Sequence, residues 1–383
     1  MIAGRVQPGF EGVADALRVN FERRGEIGAA CCVYVDGTPV VDIWAGIADA
    51  ERARPWQDDT LALAFSTTKG ATAICANLLI ERGLLDPSMR VADIWPEFAA
   101  NGKDEIPLRA VLSHRAGLPV VEGDFTLEQA LAWDPVVEQL ATQAPRWDWR
   151  ESAPGYHVRS YGWLTGEIVR RATGRTIGRF FADEIAGPLG LEWWIGLPES
   201  EEARVATLLA PPPPEDPALR ELIETFTAPG TMTGDAMAGP SNLFHYDDMW
   251  NTRQLHAPEL PSSNGIASAR AVARLYAATV GDVDGHRVLS PETVQRAIQI
   301  ESDGPDRVIG VPMQFGLGFA RGPSLPPSCG ANAFGHPGAG GSLGFADPDA
   351  HIGFGYVMNQ MQLGVDTRSE HLVRAVYAAL GAT

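Results

Sequence analysis

The sequence predicts an α+β fold: one antiparallel sheet built from both chain ends, flanked by helices, with a helical lobe inserted. Three observations predict it. Strand-like apolar runs lie towards both ends of the chain, and turn dipeptides join neighbouring runs closely enough to make them antiparallel. Between them, helical stretches alternate with proline-rich connectors. The division reads as 1–86 and 262–383 for the sheet-bearing unit and 87–261 for the lobe.

The elements follow in order. FEGVADALRVNFERRG repeats apolar residues at helical spacing and closes on Gly25. Two strands come next, AACCVYV and PVVDIW, joined by Asp36-Gly37, a strong hairpin signal. A helix begins near Ser66 and stops at Gly83. In the middle, PPPPEDP (211–217) reads as a loop, because proline neither donates a backbone hydrogen bond nor continues a helix. ARAVARLYAATV and SPETVQRAIQI are helices, the second with Ser290 as N-cap and Pro291 at its first position. QFGLGFA, NAFGHPG, GSLGFADP and HIGFGYVMN return to strands, and the turn Asp347-Pro348-Asp349-Ala350 makes the last two a hairpin. TRSEHLVRAVYAAL is a closing helix that ends at Gly381.

Composition excludes several classes of function. A net charge of −18 opposes binding to nucleic acid or an anionic membrane surface. No window approaches the ~20 apolar residues of a membrane span. MIAGRVQPGF lacks the apolar core of a secretory signal, and Cys31, Cys32, Cys75 and Cys329 fit reduced thiols better than disulfides, so a cytoplasmic location is expected. The eight histidines form no metal-binding motif, and neither a metal nor a cofactor is implied.

The chemistry concentrates in FSTTKG. Ser66 and Lys69 stand three residues apart, on one helix face, so the amine reaches the hydroxyl. A serine at a helix start also offers a free backbone N–H at the positive dipole end. The bland alternative is an N-cap serine beside an ordinary helix lysine. Lysine usage argues against it: the chain has 28 arginines and only two lysines, Lys69 and Lys103. With 16 serines, chance alone places either lysine three after a serine with a probability of roughly 0.08. Only lysine, never arginine, can give up its proton and act as a base.

From these residues a family resemblance follows. FSTTKG, LLDPSMRVADIWPEFAANGK, LSHRAGLP, PGYHVRSYGWLTGEIVRRATG, IAGPLGL and GHPGAGGSLGFADP stand in the order found in serine β-lactamase-related esterases. The chain most resembles the family VIII carboxylesterases, relatives of class C β-lactamases, over roughly residues 10–380. The resemblance implies a penicillin-recognising fold and cleavage of short-chain carboxylic esters through an acyl-enzyme on Ser66, with Lys69 as its partner. Tyr156, in GYHV, matches the tyrosine that shuttles protons, with Tyr161 as a rival five residues on. His336-Pro337-Gly338 matches the third family motif. It implies His336 as a source of positive field for an ionised Tyr156, and Gly338 as the place where substrate approaches the strand. The N–H of Ala339, with that of Ser66, implies an oxyanion hole.

Two departures bear on substrate. Val158 stands where the family has asparagine, and Pro337 where it has threonine; both oppose strong β-lactam hydrolysis and leave ester cleavage intact. A competing serine, Ser342, sits in a G-x-S-x-G pattern, yet a strand hairpin follows it rather than the helix a nucleophile elbow needs. Other readings of the same fold are an acyltransferase and a β-lactamase or D-amino peptidase. A non-catalytic penicillin-recognition or sensor module is the reading from another class. The partner implied is a small-molecule ester, and the sequence sets no oligomeric state.

Overall fold

The computed structural model describes residues 2–362 and 366–381. Its strands are β1 (Ala3–Val6), β2 (Gly28–Val35), β3 (Thr38–Asp49), β4 (Arg54–Pro55), β5 (Ala62–Leu63), β6 (Trp193–Trp194), β7 (Ile266–Ala267), β8 (Ser302–Pro305), β9 (Pro312–Phe315), β10 (Ala320–Arg321), β11 (Phe334–Pro337), β12 (Leu343–Asp347) and β13 (Ile352–Met358). The main sheet runs β1-β3-β2-β13-β12-β11-β10-β9-β8 and is antiparallel throughout. N-terminal and C-terminal strands meet where β2 pairs with β13. A small second sheet, β5-β7-β6, escaped the sequence reading because its strands have two residues each, too few to show a period.

The Asp36-Gly37 turn forms as predicted, with φ of 47° and 72°, the two positive values a two-residue hairpin requires. Both faces of the sheet are covered. Cys31 and Val33 point into a core with Val13, Leu17, Leu372 and Val376, whereas Cys32 and Tyr34 point into the core that holds Val272 and Tyr276. This two-sided burial explains why AACCVYV reads as a continuous apolar run rather than an alternation. Helices α1 (Glu11–Arg23) and α5 (Arg368–Ala379) cover one face, and α4 (Ala269–Val280) the other. Gly353 and Gly355 admit the α4 backbone: a Cβ there would lie 2.3 Å from Ala277 N and from Ala269 O respectively.

Other local readings are corrected. QFGLGFA is a tight hairpin of β9 and β10, with Gly318 at φ +90° in its turn. The proline run ends as a loop at Asp216, which caps a helix Pro217–Phe226 by accepting from Ala218 N. Proline is acceptable at that first helical position because its missing N–H would have no partner there. His351 lies in the turn before β13, not in the strand. Helices α2 (Thr68–Glu81) and α3 (Ser160–Thr173) pack together, and α2 is buried all round down to Ile80. No helix of the described residues is long and apolar enough to cross a membrane.

Candidate active site

From Leu61 to Ile80 every residue is buried except Ser66, which is half-exposed. Ser66 lies in a 3₁₀ turn, Phe65–Thr67, that runs directly into α2. In such a turn side chains at i and i+3 eclipse, so Ser66 and Lys69 face each other at 3.0 Å between Oγ and Nζ. Phe65, just before the serine, holds φ at +42°, a strained value for a residue with a Cβ. Edge-on packing against Tyr246 and Trp250, at 5.3 and 5.1 Å between ring centres, keeps it there.

Lys69 is fully buried. Its Nζ donates to Val158 O at 2.6 Å and Ser262 O at 3.1 Å, and it lies 4.9 Å from the centre of the Tyr156 ring. Burial, with the Arg159 guanidinium second, pushes the amine well below its ordinary pKa range. Nζ also donates to Ser66 Oγ at 3.0 Å, and the two carbonyls, which can only accept, take its other protons. The Val158 backbone carbonyl, which any residue there would offer, orients Lys69, while the Val158 side chain joins Tyr156 and Val120 in an apolar cluster.

Tyr156 is buried and held in a loop, its N–H donated to the Asp306 carboxylate at 2.7 Å. Burial raises its phenol far above the usual range, and the adjacent Ser66 hydroxyl offsets only part of this, so Tyr156 rests protonated. Tyr161, the rival, is enclosed in the core with its ring 4.8 Å from that of His114.

His336 stacks on Tyr156 at 5.8 Å between ring centres, and its burial opposes the positive charge that the resemblance implied. Burial, with Lys69 second, lowers its pKa to about 3, so the ring is neutral. Its Nδ1–H donates to Pro337 O at 2.7 Å, and Nε2 has no partner among the described residues.

A Cβ at Gly338 would stand 2.1 Å from Ser342 Oγ and 2.3 Å from Ala64 O. The space a side chain would need at this position is taken by the Ser66 turn and Ser342, while Gly338 itself lines the cleft. Ala339 follows in a short turn of its own. Among the described residues neither Ser66 N–H nor Ala339 N–H donates to another backbone or side-chain group, which leaves both free for an oxyanion. A cleft of about 610 Å³ opens beside them. Ser66 does not line it; Gly338, Ala339 and Tyr246 do, and they join it to the Ser66 turn, with Leu325, Pro326 and Met361 as apolar walls.

Ser342 is buried at the end of the Ala339–Gly341 turn, directly before β12, so a strand and not a helix follows it, as predicted. Sequence reasoning missed its structural part, a clamp on the Ser66 turn, and missed Arg159 and Asp306. A lone charge in the apolar stretch YHVRSYGWL was the available signal for Arg159.

The family model described as Beta-lactamase matches residues 13–379. The esterase/beta-lactamase LipL of Mycobacterium tuberculosis is 35% identical over 369 residues, which cover 94% of this chain and 83% of LipL. The crystal structure of a family VIII carboxylesterase superposes with a TM-score of 0.89 at 36% identity, covering 99% of this chain and 100% of that one. A penicillin-binding protein homolog from Caulobacter crescentus gives a TM-score of 0.88 at 36% identity, with the same coverage. On sequence and fold together, the chain belongs to the beta-lactamase family.

Proposed function

We propose that this protein is a serine carboxylesterase that cleaves short-chain esters through an acyl-enzyme on Ser66. The observation that carries the reading is the Lys69 amine, fully buried, with two carbonyls on its protons and the Ser66 hydroxyl 3.0 Å away. Likeness to LipL and to a family VIII carboxylesterase supports it.

In this reading neutral Lys69 takes the Ser66 proton as Oγ attacks the ester carbonyl. The Ser66 and Ala339 N–H groups receive the oxyanion. Tyr156, protonated at rest, gives its proton to the departing alkoxide and is reprotonated from the Lys69 ammonium. In the second half water loses a proton to the neutral amine as it attacks the acyl carbonyl, and the proton returns to Ser66 when the acid leaves. His336 takes part as a neutral ring behind Tyr156.

The substrate is a small-molecule ester and the partner is not nucleic acid, which the net charge of −18 disfavours. The location is cytoplasmic, supported by four cysteines present as free thiols, three of them buried. The division into 1–86 with 262–383 and 87–261 belongs to the same proposal, supported by the sheet strands β1 to β3 and β8 to β13 coming from the two chain ends. Mixing the protein with p-nitrophenyl butyrate tests the function: a burst of p-nitrophenol and steady turnover are expected, and a protein that binds the ester without releasing p-nitrophenol would be a sensor module instead.

A further inference from the structure

We propose that Arg159 is a positioning residue for this site, a buried and unpaired guanidinium that holds the neighbouring Lys69 in the state able to take a proton from Ser66. The inference rests on Lys69 acting as the base, as proposed above.

Two short segments hold both side chains in place. Lys69 bonds to the carbonyls of Val158 and Ser262. Arg159 is the residue after Val158, and its Nη1 reaches Oγ of Ser263, the residue after Ser262, at 3.2 Å. Consecutive Cα atoms lie about 3.8 Å apart, so the Lys69 amine, reaching in from α2, and the Arg159 side chain are tied to adjacent positions of the same two segments.

Arg159 is 5% exposed. Its Nε donates to Met237 O at 2.7 Å and Nη2 to Phe244 O at 3.4 Å. Its guanidinium lies 4.9, 5.3 and 5.8 Å from the ring centres of Phe244, Trp250 and Tyr246. Carbonyl oxygens and ring faces solvate a guanidinium without cancelling its charge. Among the described residues no carboxylate pairs with Arg159, whereas the equally buried Arg368 has both Glu26 and Asp366. Arginine cannot shed the charge by losing a proton, so the positive field stays.

Other titratable groups around Lys69 do not compete with it. His114, His157 and His336 are all held neutral by burial, the last two at pKa values of about 3. The Tyr156 ring faces the amine, and Tyr246 and Asp306 face Tyr156 in turn. A fixed cation beside an amine disfavours its protonated form.

The test is the pH profile of kcat/KM for p-nitrophenyl butyrate in wild type, Arg159→Met, Arg159→Lys and Ser263→Asp, with the melting temperature of each recorded. Arg159→Met should move the acid limb up by about one pH unit or more, the effect of losing a like charge nearby. Its loss of rate should therefore be large at low pH and shrink towards the alkaline plateau. Arg159→Lys offers an amine that the same burial can strip of its proton, so its limb should lie between those of wild type and Arg159→Met. Ser263→Asp sets a carboxylate against Nη1, cancels the field with the arginine still present, and should move the limb as Arg159→Met does; it serves if Arg159→Met does not fold. A loss equal at every pH, or a limb unmoved in both charge-removing variants, overturns the proposal. Failure of the underlying reading would show separately, as a large share of kcat surviving in Lys69→Arg.

Discussion

Ser342 donates its buried hydroxyl to the Ala64 carbonyl at 2.8 Å, across 278 residues of chain, and Thr67 Oγ1 lies 3.0 Å from Ser342 Oγ. Gly338 N–H donates to Ser342 O at 2.7 Å, so one residue ties the Ser66 turn to the strand that precedes Ala339. The two N–H groups of the proposed oxyanion hole come from segments far apart in sequence, and this clamp sets their separation.

Ser66→Ala should abolish ester hydrolysis, and an organophosphonate should label only the peptide that contains Ser66. Ser342→Ala should keep that labelling, lower the rate and cost about 0.5–1.5 kcal/mol of stability, the net worth of one hydrogen bond, because the Ala64 carbonyl keeps the Thr67 N–H at 3.1 Å. Mass spectrometry of the labelled peptides and denaturant melts check both; an adduct on Ser342 would reverse the assignment.

Lys69→Arg should damage kcat nearly as much as Lys69→Ala, by ~10²-fold or more, the usual loss of a general base. Arginine keeps the charge but cannot accept the Ser66 proton. Steady-state kinetics on p-nitrophenyl acetate decide it.

Lys69→Met should lose activity yet gain stability relative to wild type as the pH falls. The amine of the folded protein sits well below its ordinary value of 10.5 because it is buried. Below that value the unfolded chain takes up a proton that the folded chain does not. Wild-type stability therefore falls with falling pH until the folded pKa is reached, by up to about 1.4 kcal/mol per pH unit. Methionine removes this dependence. Melting temperatures of both proteins at pH 6 and pH 9.5 should show the difference shifting in favour of Lys69→Met at pH 6; a difference constant with pH would mean that the amine is protonated in the fold.

Gly338→Ala should cost stability by about 1–3 kcal/mol or more through overpacking, together with most of the activity. Its φ of −114° suits any residue, so the damage would come from crowding by Ser342 Oγ, Ala64 O and Thr67 Oγ1. Combining it with Ser342→Gly, which removes one clashing atom, should recover part of the stability in thermal melts.

Esters should be preferred to β-lactams. With p-nitrophenyl butyrate and nitrocefin at one pH, kcat/KM should differ by well over tenfold, a barrier gap above ~1.4 kcal/mol. The leaving nitrogen of a lactam must be protonated and its bulky acyl-enzyme must admit water, and Val158 turns an apolar side chain where an amide would help. Values within tenfold of each other would show that the Val158 and Pro337 departures carry no such weight.

Much of the fold and the heart of the site depend on short-range pattern, and these the sequence determined by itself. Asp36-Gly37 specifies a hairpin because positive φ at two residues is a local demand. Ser66 and Lys69 meet because i and i+3 are neighbours on any helical turn, and the scarcity of lysine marked the pair. Strands of two residues, and the folding back of QFGLGFA, lay below the length at which periodicity can speak. Protonation states were decided only by the tertiary structure. His336 reads as a possible cation in the chain and is a neutral ring in the fold, because burial penalises charge in proportion to the water removed, and that water is displaced by segments distant in sequence. Arg159 keeps its charge under the same burial because a guanidinium has no neutral form to retreat to. What Ser342 and Gly338 do was likewise invisible until β11 and β12 closed on the turn at Ala64, since a hydrogen bond across 278 residues leaves no spacing in the sequence to read.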